Sequence, residues 1–88
     1  MIRPVTREYD FGPMLLRFHR AGDAWVSDLV IDGERIKIRV KPFMRDRWIG
    51  RYCVENVVIR SDASVTIELA LMALYERVRL IKPGRLWK

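Results

Sequence analysis

From residue 14 onward, apolar and polar residues take turns along the chain. Met14, Leu16 and Phe18 alternate with Leu15, Arg17 and His19, and Ala24 to Ile31 continues at a similar period. The most regular stretch is Glu34 to Lys41, where Ile36, Ile38 and Val40 lie between Arg35, Lys37, Arg39 and Lys41. As a strand it is apolar on one face and cationic on the other, because successive side chains point to opposite sides.

Asp32-Gly33 joins the last two segments. Asp-Gly is a strong hairpin signal, since a type I′ turn needs positive φ at both central residues. A two-residue loop there predicts a register: Leu29 opposite Ile36, Ser27 opposite Ile38 and Trp25 opposite Val40. On the other face Val30 meets Arg35, Asp28 meets Lys37 and Val26 meets Arg39. If Gly22-Asp23 closes the preceding hairpin in the same way, Leu16 and Phe18 fall opposite Leu29 and Ser27, and Arg17 faces Asp28. The strands then agree on one inside and one outside.

Residues 1–13, ending in "DFGP", read as an irregular arm, and 14–60 as the antiparallel sheet. Pro42 opens a loop that runs to Arg51, and Tyr52 to Arg60 reads as the fourth strand. Then the period lengthens. Ile67, Leu71, Leu74, Val78 and Ile81 recur at spacings of four, three, four and three, a helical stripe. Ser61, Asp62 and Ser64 are candidate N-caps and Pro83-Gly84 is a stop, so the helix is expected over 61–82, with a basic tail over 83–88. Val65, Ile67, Leu69 and Leu71 also alternate, so a fifth strand over Ser64–Leu71 is the rival. The helix formers from Leu69 to Arg77 favour the helix. The expected fold is α+β: a four-stranded antiparallel sheet in the order ββββα, with one long C-terminal helix packed on one face.

With 88 residues the chain is read as a single domain, 1–88. Its net charge of +6 favours acidic partners, nucleic acid or an anionic surface. Thirteen Arg against four Lys, with one Asn and no Gln, suit a thermophilic source, cellular or viral. Cys53 is the single cysteine, which excludes an internal disulfide and reads as a small buried hydrophobe in a reducing compartment. The N-terminus has no apolar leader, and Leu69–Tyr75 falls short of the ~20 residues of a membrane span. A cytoplasmic location and no membrane partner are therefore expected.

Outward residues two apart on a strand lie ~6.8 Å from one another, close to the phosphate spacing of an extended single strand. Arg17, His19, Arg35, Lys37, Arg39 and Lys41 are candidate phosphate contacts on that ground. Phe43, Arg45, Arg47, Trp48 and Arg51 add aromatics among cations, which suits base stacking beside neutralised phosphate; the tail repeats this with Arg85, Trp87 and Lys88. The competing reading is a solvated face whose cations deter edge pairing. Four unmixed cations on one strand face favour binding.

On the helix, Leu69, Met72, Ala73 and Leu80 form a second apolar stripe. It implies a homodimer interface, or an arm (Val5, Tyr9, Phe11) folded over the helix. His19 is the single histidine, and neither metal-ligand spacing nor a Gly-rich phosphate loop is present. No catalytic residue, metal, cofactor or small-molecule substrate is expected. The enzyme class left open is a small metal-independent ribonuclease, like the basic toxins of toxin–antitoxin pairs, using "RFHR" (Arg17 to Arg20). The element order, cationic sheet face and pairing helices are similar to the PC4-like single-strand-binding fold, a resemblance of architecture that carries no residues. The expected function is binding of single-stranded DNA or RNA by a dimer. The alternative is a dimeric interaction or accessory protein whose charge confers solubility.

Overall fold

A computed structural model describes residues 5–31 and 33–81, so the tail with Arg85, Trp87 and Lys88 and the stop at Pro83-Gly84 lie outside the described residues. The chain is α+β, with one C-terminal helix on an antiparallel sheet, but the sheet has six strands rather than four. They are β1 (Thr6–Phe11), β2 (Met14–Ala21), β3 (Ala24–Ile31), β4 (Glu34–Phe43), β5 (Arg47–Val54) and β6 (Val57–Arg60), each beside its sequence neighbour. Helix α1 (Ile67–Ile81) follows.

The central register is as expected. Leu29↔Ile36, Ser27↔Ile38, Trp25↔Val40, Val30↔Arg35, Asp28↔Lys37 and Val26↔Arg39 all pair across β3 and β4. Ile36, Ile38 and Val40 are buried while Arg35, Lys37 and Arg39 are exposed. The β2–β3 hairpin also turns at Gly22-Asp23, but its ladder runs only from Ala21↔Ala24 to His19↔Val26. Farther along, the buried Ser27 hydroxyl donates to the Arg17 carbonyl at 2.9 Å, so the expected facing of Arg17 and Asp28 lies past the paired stretch.

The arm is a strand. Gly12-Pro13 is a two-residue turn between Phe11 and Met14, with Gly12 at φ +61° and proline holding the next φ negative, the sign pattern of a type II′ turn. The region expected to be a loop is β-structure too. Pro42 pairs with Trp48 inside β4, because β4 has there passed its last pair with β3, Trp25↔Val40, and is bonded on one side, an edge position that proline tolerates. Residues 44–46 make the turn, since Phe43 pairs with Arg47. The expected fourth strand folds back at Glu55-Asn56 into the β5–β6 hairpin, with Glu55 at φ +51°.

The helix starts later than residue 61, because its candidate caps are committed elsewhere. Ser61 N–H donates to the Gly50 carbonyl, Gly50 N–H donates to Ser61 Oγ at 2.8 Å, and Ser64 exchanges both backbone bonds with Trp48. Thr66 is the cap, its Oγ1 accepting from Leu69 N–H at 3.1 Å. The rival strand therefore has one bridge, at Ser64, before the chain becomes helical.

The inner face of all six strands and one side of α1 build the core: Phe11, Phe18, Ile38, Val40, Tyr52, Leu71 and Leu74 are fully buried. Tyr9 and Phe11 join this core from β1, where Phe11 meets Tyr75 of α1, and do not cover the second stripe: Leu69, Met72 and Leu80 are exposed. Of the expected main stripe, Ile67, Leu71, Leu74 and Val78 are buried and Ile81 is exposed at the helix end. Among the described residues no helix is long and apolar enough to cross a membrane.

Two glycines set how closely α1 approaches the sheet. A Cβ on Gly50 would stand 3.1 Å from Leu74 Cδ2 and 3.4 Å from the Ala70 carbonyl oxygen, so the helix seats where β5 carries no side chain. A Cβ on Gly12 would strike the Tyr75 ring, which also meets Phe11 edge-on at 5.4 Å. Gly50→Val is therefore expected to cost ~1–3 kcal/mol through overpacking, read as a lower urea midpoint. A midpoint equal to wild type would mean that α1 does not rest on Gly50.

Candidate nucleic-acid interface

The outer face is read directly from the register, since residues paired across an antiparallel ladder share a face. On β4 it carries Arg35, Lys37, Arg39, Lys41 and Phe43, and on β5 Arg47, Ile49, Arg51 and Cys53. On β6 it carries Val58, opposite Cys53, and Arg60, opposite Arg51. Arg45 is exposed in the turn between β4 and β5. The expected residues of β4, its turn and β5 thus come together, with Trp48 as the exception.

Trp48 pairs with Pro42, on the inner side, and is half-buried against the core. Its backbone is tied to Ser64 in both directions, which holds it there. Among the described residues the aromatic ring left on the cationic face is Phe43, 40% exposed. The spacing of rings and cations suggested stacking at Trp48, but it could not show that β4 continues through Pro42 and turns Trp48 inward.

Arg17 and His19 lie on the outer face of β2, with β3 between them and β4. Arg17 pairs there with Glu8, and His19 stands between Thr6 and Val26. They belong to a second, mixed-charge region, because β1 brings Glu8 and Asp10 to its outer face. The "RFHR" constellation is split by the strand period. Arg20 sits on the other face, its guanidinium 5.9 Å from the Trp25 ring centroid and its Nε donating to the Gly22 carbonyl.

Charge is uneven across β4 to β6. Lys37 lies 4.0 Å from Asp28 in an exposed pair that water weakens. Asp62 is engaged by Arg77 of α1 at 3.8 Å, and Arg77 also donates to the Arg60 carbonyl. Arg39, Arg51 and Arg60 face one another in register across three strands, and no ion pair is found for them among the described residues. Arg51 is half-buried, and its Nε is fully enclosed without an acceptor. A donor left so costs about 1–3 kcal/mol. Arg60 is the residue that sequence reasoning missed: with Tyr52 to Arg60 read as one strand, it stood at the far end from the patch instead of beside Arg51. The signal lay in Glu55-Asn56, a turn without the glycine that marks those at Gly12, Gly22 and Gly33. Cys53, expected in the core, stands half-buried on the outer face between Lys37 and Val58.

A different surface runs along α1. Leu69, Met72, Ala73 and Val65 line a groove of about 620 Å³ bordered by Arg47 and Glu76. Met72 is 60% and Leu80 77% exposed.

These placements separate two aromatic substitutions. Trp48→Ala should lower stability by about 2 kcal/mol, less than the ~3–5 kcal/mol of a fully buried ring, whereas Phe43→Ala should stay within ~0.5 kcal/mol; urea unfolding of both variants reads the difference. Equal stability of the two would show Trp48 to be exposed. No protein family, characterised protein or solved structure matches the chain.

Proposed function

We propose that the protein binds nucleic acid through the outer face of β4, β5 and β6. The observation that carries this reading is the run Arg35, Lys37, Arg39 and Lys41 on one face of β4, joined by Arg51 and Arg60 from its neighbours, while Arg47 at the start of β5 borders the α1 groove. Among the described residues the ion pair within this patch is the exposed one to Asp28. At ~6.8 Å intervals the β4 cations suit the phosphates of an extended single strand of DNA or RNA. Phe43, at the end of the row, offers one base a stacking surface. The location that goes with this function is the cytoplasm, and no enzymatic step is part of it.

We further propose that the exposed stripe of α1 pairs two copies of the chain. Leu69, Met72, Ala73 and Leu80 supply the apolar contact. Arg47 and Glu76 border the same groove, so a two-fold partner can set each against its opposite. Without the nucleic-acid function, this stripe would make the protein a dimeric interaction factor.

Electrophoretic mobility shift with single-stranded DNA, duplex DNA and RNA at two salt concentrations tests the first proposal. Binding should weaken as salt rises, and Arg39→Ala should reduce the salt slope by about one, since each phosphate contact releases close to one counterion. Absence of salt-dependent binding to all three would reduce the face to a solubility device. For the second proposal, light scattering should report twice the chain mass, and Met72→Glu should shift it toward monomer. A wild-type monomer at high concentration would remove the dimer.

A further inference from the structure

We infer that Arg39, Arg51 and Arg60 form a seat for one phosphate group. Arg39 pairs with Arg51 and Arg51 with Arg60, so the three stand in one row on the outer face. Like charges directly opposite across strands repel one another. Lysine or histidine could relieve this by losing a proton, but a guanidinium cannot, since it stays charged throughout the accessible pH range. The row therefore keeps all its positive charge.

The surroundings do not neutralise it. In register, the neighbours of the row on β4 and β5 are Lys37 and Cys53 on one side and Lys41 and Ile49 on the other. Beyond Arg39 lies Val26, which is buried. The carboxylate nearest in sequence to Arg60, Asp62, is turned to Arg77. At the centre, the enclosed Arg51 Nε has no acceptor among the described residues. A tetrahedral oxyanion answers the charge of the row, because it is negative and presents acceptor oxygens to several guanidinium forks. A phosphate fits three guanidinium groups better than a carboxylate, whose two oxygens one arginine can already occupy. The seat is argued from the arginines alone. It rests on the nucleic-acid reading only for the source of the phosphate, a backbone phosphodiester.

Titration with inorganic phosphate at constant ionic strength, followed at the arginine Nε–H resonances, tests the seat. The Arg51 signal should shift to saturation, and Arg60→Gln should weaken phosphate binding about tenfold, the loss of one charge-assisted hydrogen bond. Arg17→Gln removes the same charge from the same sheet face, two strands away, and should leave phosphate affinity within about twofold of wild type. A linear or absent shift at Arg51, or equal weakening by Arg17→Gln and Arg60→Gln, would overturn the proposal by showing diffuse attraction only. The same variants with a single-stranded oligonucleotide separate the two readings. Saturable phosphate binding without oligonucleotide binding upholds the seat as a site for a free or terminal phosphate and ends the nucleic-acid reading. Oligonucleotide binding that Arg60→Gln leaves intact, with no phosphate saturation, ends the seat and keeps the nucleic-acid reading.

Discussion

The single helix packs on the inner face of the six-stranded sheet at β5, β6, β4 and β1, and it can approach because β5 carries no side chain at Gly50. With Ala70 and Leu74 seated against that glycine, α1 lies close enough for Leu71 and Val78 to be fully buried. At the other side of the sheet Tyr75 rests on Gly12, so β1 and β5 both hold the same helix. The hydrophobic contribution of such a core grows with the area removed from water, ~25 cal/mol per Å². A helix held further off by side chains at these two glycines would lose much of it.

Because the main core lies on the inner face, most of the outer face of β4 to β6 is left to solvent. That freedom lets β4 present four cations in succession and lets Arg39, Arg51 and Arg60 stand side by side. Stability alone gives no reason for this arrangement, since opposed like charges weaken a ladder. The arginines at the inner rim behave differently: Arg7 lies 4.8 Å over the Trp25 ring and Arg20 caps a turn carbonyl. Arginines thus serve structure on one face, while on the other Arg39, Arg51 and Arg60 have no ion pair among the described residues.

The junction between sheet and helix joins these two themes. Ser61 replaces a backbone partner for Gly50, Ser64 bridges to Trp48, and Thr66 caps α1. The same tether holds Trp48 at the core and keeps the Ser61–Thr66 stretch along β5, ending β6 at Arg60 opposite Arg51.

How much of this the chain discloses by itself depends on the range of the interaction. Period-two alternation and the Asp32-Gly33 turn are local, and they determined the β3–β4 register, the buried Ile36, Ile38 and Val40, and the cationic side of β4. The four-three spacing of Ile67, Leu71, Leu74 and Val78 likewise determined the buried face of α1. Local pattern misjudged the strands whose turns lack a strong signature: Gly12-Pro13 read as the end of an arm, Pro42 as a breaker and Glu55-Asn56 as mid-strand. Each is decided by what lies alongside, since an edge can accept proline and a hairpin can tolerate Glu55 at φ +51° when strands on both sides already pair. The inward turn of Trp48, the splitting of Arg17 and His19 from the main patch, and the meeting of Arg51 with Arg60 were settled only by strand order and pairing. Those are long-range contacts, and a residue's own neighbours in sequence carry no information about which strand it will lie beside.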